Sequence, residues 1–260
     1  MPDNLIFPLL IAAAGVIMLV MGLFRRGKSR SLKSVPCRPI ASLAGGETQF
    51  ITGTTQSPAC SSSPVSKTPC VFYVETIEKN EKQYASQEHN TTHWVLAAHN
   101  VYGAFFVVDA SGKALVVPTP ESLDLRRAET TESNDIPLVG GMEGATRKTE
   151  QFIAANETVA VMGTPRPLSE FMRYVRQDAQ LNVRPEFMAE LLRLENGADP
   201  GMPCFFGGGI KRISDRSYSD YLAGTEPSAA FLLQAGAALS AAGGAALLYT
   251  LKVFTRAVAE

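Results

Sequence analysis

The chain has 260 residues, 45% of them hydrophobic, with four cysteines, three histidines and a formal net charge of -1. That balance hides a basic stretch near the start and an acidic remainder, and an acidic domain without a stripe of Lys and Arg is a poor candidate for nucleic-acid binding. Four cysteines with neither a CxxC pair nor zinc-ligand spacing exclude a disulfide scaffold and a zinc-finger array, and read as free thiols in a reducing compartment.

In chain order, Leu5 to Phe24 is a run of 20 residues without a charge. At about 1.5 Å per helical residue such a run spans the roughly 30 Å of a bilayer's hydrocarbon core, so residues 5–24 are predicted to form a transmembrane helix. Its flanks, Met-Pro-Asp-Asn before it and Arg25-Arg26 after it, are inverted relative to a secretory signal. The helix therefore reads as an uncleaved anchor whose following segment stays inside, by the positive-inside rule. Residues 25–38 carry six basic residues and no acidic one. Anionic headgroups are the expected partners of this juxtamembrane segment, at Arg25, Arg26, Lys28 and Arg30.

Residues 39–226 are predicted to form one soluble domain, and here the balance turns acidic: residues 39–251 hold 16 Lys and Arg against 23 Asp and Glu. A strand pair is expected between Ser31 and Gly53, turning at Gly45-Gly46, followed by a Ser/Thr/Pro loop over 54–63. Cys70 to Ile77 alternates β-branched and aromatic residues, which predicts a core strand with alternate side chains buried, the ring of Tyr73 among them. Asn80 to Thr92 reads as a polar hairpin loop. Trp94 to His99, Ala104 to Val108, Ala114 to Val117 and Val159 to Met162 read as further strands, with a turn at Asp109 to Lys113. Two helices are predicted: Leu168 to Gln177, with Leu168, Phe171, Met172 and Val175 on one face, and Pro185 to Leu194, with Phe187, Leu191 and Leu194 on one face. The fold class is α+β and mostly β, a small barrel or curled sheet flanked by N- and C-terminal transmembrane helices.

The second such helix is residues 228–251, rich in Ala and Gly. Gly236, Ser240 and Gly244 recur at four-residue steps, the spacing that lets two helix backbones approach closely in lipid. Association through these three positions is expected, with the first helix or with a second copy of the chain.

Chemistry is sparse. His89 and His93 have the spacing of a helix-borne metal pair but fall in a loop entering a strand, so no metal is expected. GxSxG, HExxH and P-loop signatures are missing, and Gly207-Gly208-Gly209 reads as a bend between strands. Asn90-Thr91-Thr92 and Asn156-Glu157-Thr158 match the glycosylation sequon, which a cytosolic domain does not use. Cys70 and Cys204 are the candidate nucleophiles for a thiol enzyme, although a buried strand cysteine is the expected environment of Cys70. Neither catalytic, cofactor-binding nor metal-ligating residues emerge from the sequence.

Four stretches carry a resemblance: Ile40 to Gly53; Ser63 to Tyr73, with its Ser-Pro, Pro-Cys and strand tyrosine; Phe105 to Pro118, with an Asp-x-x-Gly hairpin; and Glu150 to Gly163, with an acidic residue, an isoleucine and a strand ending in Gly. Ile213 to Ser217 adds a closing motif. In this order and spacing, and with a membrane helix on either side, the chain resembles the GIDE domain, also called BAM for "beside a membrane", of MULAN-type mitochondrial ubiquitin ligases and prokaryotic relatives. The resemblance implies a membrane-flanked module that senses or holds partners, without catalytic residues of its own. Those ligases carry a RING after the second helix, whereas Lys252 to Glu260 here holds neither Cys nor His. Zinc binding and recruitment of a conjugating enzyme therefore do not carry over.

The sequence thus points to a membrane-anchored interaction or scaffold module, two-pass, with its soluble domain in the cytoplasm and an unidentified protein partner. The alternatives are a component of a ubiquitin-ligase-like system with the RING supplied in trans, or a thiol-dependent enzyme using Cys70 or Cys204.

Overall fold

The computed structural model describes residues 6–83, 91–126, 128–133, 145–178, 181–224 and 226–259. It divides into two units, Met1–Val35 with Ser219–Glu260, and Pro36–Tyr218. The chain opens with α1 (Ile6–Lys33). Strands β1 (Gln49–Gln56), β2 (Ser61–Ser62), β3 (Pro69–Gln83), β4 (Thr91–Gly103), β5 (Phe105–Val108), β6 (Lys113–Val117), β7 (Glu129–Ser133), β8 (Thr146–Ala154), β9 (Thr158–Gly163) and β10 (Arg166–Pro167) follow. Then come α2 (Leu168–Asp178), α3 (Pro185–Arg193), β11 (Pro203–Phe206), β12 (Ile210–Ser214), α4 (Tyr218–Ala223) and α5 (Glu226–Ala259).

In the helical unit, α1 and the stretch Ala230–Lys252 of α5 are long and apolar enough to cross a membrane. They run antiparallel, Ala12 opposite Gly243, Gly15 opposite Gly236 and Ser240, and Gly22 opposite Leu233. A Cβ on Gly15 would lie 2.4 Å from the backbone nitrogen of Ser240, and one on Gly236 2.7 Å from that of Leu19. Only glycine admits backbones this close. Gly244, expected in the same seam, has nothing within 4 Å of its Cβ position, whereas a Cβ on Gly243 would come 2.5 Å from the Ala12 nitrogen. The reason is helical phase. Eight residues beyond Gly236 the side chain has turned about 80° out of line, but seven residues beyond it is only about 20° off. Away from the seam, Phe7, Leu10, Ile17, Leu23 and Phe24 of α1 and Phe231, Leu248 and Tyr249 of α5 stand exposed.

Helix α1 does not stop where its apolar run stops. It continues through Arg25, Arg26 and Arg30 to Lys33 and ends in a tightened turn, Val35 N–H donating to Leu32 O at 3.2 Å. The expected strand from Ser31 is therefore helix. Arg, Lys and Leu are good helix formers, so the charges do not mark a helix end. Only β1, from Gln49, remains of the expected strand pair, with Gly46 at φ +86° in the turn before it.

The second unit is α+β and mostly strands. One sheet has the order β10-β11-β6-β5-β1-β9-β12 and curls into a half-barrel. Its two edges belong to one ribbon, since β10 runs on from β9, and β12 from β11 through a turn at Gly207–Gly209. The second sheet has the order β2-β3-β8-β7, with β4 also paired to β3. The region expected as a hairpin loop is mostly ladder, pairing continuing to Lys82↔Thr92 and Gln83↔Thr91; residues 84–90 lie outside the described residues.

Strand alternation separates two cores. Phe105, Val107, Ala114, Val116 and Phe205 point into the half-barrel with Ile51, Phe72, Ile153, Val159 and Val161. Their neighbours Phe106, Leu115, Cys204 and Phe206 point the other way, onto Leu168, Phe171 and Met172 of α2 and Phe187 and Leu191 of α3. One break in alternation changes a sequence expectation. Cys70 pairs with Ala154 but Phe72 with Ile153, so Val71 is an extra residue, a β-bulge. Cys70, Val71 and Phe72 are all buried as a result, while Tyr73 is only half-buried and stacks on Tyr102, ring centroids 5.2 Å apart.

Candidate functional site

The thiols divide by environment. Cys37 and Cys60 are exposed; Cys70 and Cys204 are fully buried, on β3 and β11. Burial first, then the charge of Glu150 and the neighbouring Cys60, pushes the Cys70 thiol up to about 12. Burial likewise raises Cys204 far above the ordinary thiol range. Nucleophilic cysteines are thiolates in electropositive, accessible surroundings; both of these are held protonated at neutral pH. Among the described residues there is no group of three or more His, Cys, Asp and Glu that could hold a metal. His93 sits on β4, and His89 lies outside the described residues.

Two carboxylates stand out for their hydrogen bonds. Glu150, on β8 and fully buried, accepts the backbone N–H of Val65 at 2.7 Å and that of Ser66 at 2.9 Å. The turn it grips is closed on itself. Ser63 Oγ lies 2.6 Å from Ser66 Oγ, Thr68 N–H donates to Ser63 Oγ at 3.1 Å, and Lys67 takes φ +59°. Burial alone would raise the Glu150 carboxyl, but the Ser66 hydroxyl, the two backbone N–H groups and Ser63 outweigh it and hold it below the usual carboxylate range. Asp109 does the same for the β5–β6 turn. Its Oδ1 accepts from Ser111 N at 2.7 Å and Gly112 N at 2.9 Å, and its Oδ2 accepts from Ile40 N, 69 residues earlier, at 2.9 Å. Its carboxyl too is lowered, donors from Ser111, Ile40 and Gly112 outweighing burial.

These bonds connect the sequence stretches singled out above in pairs: Ile40 with the Asp-x-x-Gly hairpin, and Ser63–Thr68 with Glu150. Asp109 was legible from its Asx-turn spacing, Asp-x-Ser-Gly. Nothing local to Glu150 marks its role, because its partners are 84 and 85 residues away.

Glu75 of β3 is the cross-strand neighbour of Glu150. Its Oε2 accepts from the Asn100 amide at 2.9 Å. An acid–base pair needs its two carboxyl groups driven apart, with one held protonated as the acid. Here one partner is lowered and committed to a turn, and the other is satisfied by an amide. The groove lined by Leu43, Arg166, Pro167 and Pro203 encloses about 170 Å³, below the roughly 300–1,000 Å³ of small-molecule sites.

The larger cavity lies in the helical unit. It encloses about 600 Å³ between Arg26, Ser29, Arg30 and Lys33 of α1 and Ala230, Leu233 and Gln234 of α5. Of the four basic residues expected to meet headgroups, Arg26 and Arg30 line it and Arg25 does not; the side chain of Lys28 lies outside those described. Ser29, Lys33 and Gln234 were not singled out by the sequence. No known family, curated protein or solved structure matches the chain.

Proposed function

We propose that this chain is a two-pass membrane protein that holds a GIDE-like soluble domain beside the bilayer as an interaction or scaffold module, without chemistry of its own. The observation that carries the reading is the helical hairpin. Its two helices spend their small residues on each other and leave large apolar side chains, from Phe7 to Phe24 and from Phe231 to Leu251, facing outward. A core helix of a soluble protein would bury that surface, whereas lipid covers it without further protein. Arg25, Arg26, Arg30 and Lys33 at one end of α1 favour the cytoplasmic side for that end, and with it the soluble domain.

Support for interaction over catalysis comes from the soluble unit. The described carboxylates with the strongest hydrogen bonding hold turns, and the two interior thiols are buried. Strand β4, 13 residues long, pairs with β3 along one edge. Among the described residues no strand covers its other edge, where Asn182 bonds to Val101 and Gly103; Val95 and Leu96 are exposed on the same strand. Such an edge is a backbone template for a partner strand. The GIDE-like assignment rests on the order and spacing of its motif stretches, which this chain couples in pairs through Asp109 and Glu150. The ligase-component and thiol-enzyme readings gain no specific observation.

Alkaline carbonate washing of membranes containing the full chain, followed by flotation, tests the anchoring. The chain is expected to float with lipid; release into the wash overturns the reading. A broad thiol-reactive probe tests the lack of chemistry, since labelling of Cys70 or Cys204 in the folded protein would restore the thiol enzyme.

A further inference from the structure

The 600 Å³ cavity of the helical unit has a composition that matches one class of ligand. Arg26, Ser29, Arg30 and Lys33 stand at i, i+3, i+4 and i+7 on α1, a single stripe of the helix, and Arg25 is rotated about 100° away from Arg26. Ser29 is buried, while Arg26, Arg30 and Lys33 are exposed and line the cleft around it. Among the described side chains, neither Arg26 nor Arg30 has a carboxylate within ion-pair range. Facing the stripe, α5 contributes the apolar Ala230 and, one turn deeper, Leu233 with the Gln234 amide beside it.

Depth is fixed by the seam. Leu233 is the residue that meets Gly22, one turn before Arg26, and the apolar run ends at Phe24. The cavity therefore starts inside the last apolar turn and opens among the cations. In a bilayer spanned by α1 this is the level where acyl chains give way to phosphate. The volume lies within the roughly 300–1,000 Å³ of ligand sites. Two guanidiniums present the forked donors that grip phosphate oxygens in pairs.

We propose that this cleft binds the phosphate headgroup of an anionic phospholipid. Arg26 and Arg30 hold the phosphate, Ser29 serves as a neutral hydrogen-bond partner, and the first acyl carbons lie against Ala230 and Leu233. The proposal rests on the membrane-spanning reading above and goes beyond it, because a diffuse basic belt would use Arg25 as readily as Arg26. The apolar floor selects a lipid over free phosphate.

The test is lipid binding to the full chain in detergent micelles, followed by native mass spectrometry with added phosphatidylglycerol or phosphatidylcholine. Phosphatidylglycerol is expected to bind at least 10-fold more tightly. Each lining arginine is worth about 5-fold, so Arg26→Gln/Arg30→Gln should lose about 25-fold. Arg26→Gln should lose clearly more than the charge-matched Arg25→Gln. Trp94 fluorescence checks that each variant remains folded, and Arg26→Lys/Arg30→Lys, which keeps the charge and loses the fork, should fall in between. Equal losses for Arg25→Gln and Arg26→Gln would overturn the cleft in favour of diffuse attraction, and so would equal binding of the two lipids. Displacement of phosphatidylglycerol by an equal concentration of inorganic phosphate would overturn the lipid assignment. Release of the chain by carbonate would instead count against the spanning reading, which separates the two failures.

Discussion

Replacing Glu150 by Gln changes one oxygen to an NH₂ and leaves the volume of the side chain unchanged. In the native chain the two carboxylate oxygens take the N–H groups of Val65 and Ser66 at 2.7 and 2.9 Å, in a fully buried setting. Glutamine can satisfy only one of them; its NH₂ then faces the other N–H, donor against donor. A hydrogen bond to a charged group contributes about 1.5–3 kcal/mol, and a buried donor left unpartnered costs about 1–3 kcal/mol. Because these overlap, the expected loss is about 2–4 kcal/mol at neutral pH. With a urea slope of about 2 kcal/mol per molar, the unfolding midpoint should fall by about 1–2 M. The protein's single tryptophan, Trp94, reports the transition; it lies on β4 with the Arg147 guanidinium 4.5 Å from its ring centroid. The pH dependence supplies a second arm. Since the folded carboxyl is depressed, its contribution is complete above the unfolded value of about 4.3 and is lost as pH falls through the lower folded value. Wild type and variant should therefore converge progressively as pH falls below the unfolded value of about 4.3. A variant as stable as wild type at neutral pH, or a gap that persists unchanged into acid, would refute the clasp.

Four further outcomes follow from the geometry. Gly243→Ile should destabilise the helical hairpin by about 1–3 kcal/mol through overpacking against Ala12, while Gly244→Ile should leave it unchanged; denaturation of helicity by SDS, followed by circular dichroism, separates them. Gly103→Ala should cost at least 1 kcal/mol in the same urea assay, because φ is +100° and the new Cβ would lie 2.4 Å from Val71 O. In the folded chain maleimide should reach Cys60 and Cys37 but spare Cys70 and Cys204 until denaturation, as counted by intact mass. On intact cells an impermeant maleimide should fail to label Cys60 until lysis, and labelling without lysis would place the soluble domain outside.

Periodic packing was readable along the chain. The apolar positions at i, i+3, i+4 and i+7 from Leu168 and the alternation around Phe105 and Ala114 arise from neighbours a few residues apart, so a single sequence exposes them. The bulge at Val71 was not, because it is a relation between β3 and β8, strands separated by more than 60 residues. The clasp at Glu150 was hidden for the same reason. The continuation of α1 to Lys33 was missed by reading a solvent boundary as a structural one. Gly243 was missed because a step of four drifts out of phase with a helix where a step of seven does not. The basic cluster after the apolar run was legible, but its division into residues that line the cleft and residues that do not required the partner helix.

The seam between α1 and α5 joins residues at opposite ends of the chain: Gly15 meets Gly236. At about 5–20 residues per second, synthesis leaves α1 without its partner for about 10–45 s. Throughout that interval the Ala12–Gly22 face is open to other nascent helices, while the whole of the half-barrel emerges from the ribosome. On the membrane-spanning reading, biogenesis then runs in a set order: α1 inserts alone, the strand-rich unit folds with one tether, and the hairpin closes last. A chain stalled before Gly236 would present a small-residue face suited to pairing with the wrong helix, which makes the length of the intervening domain a determinant of how long that hazard lasts.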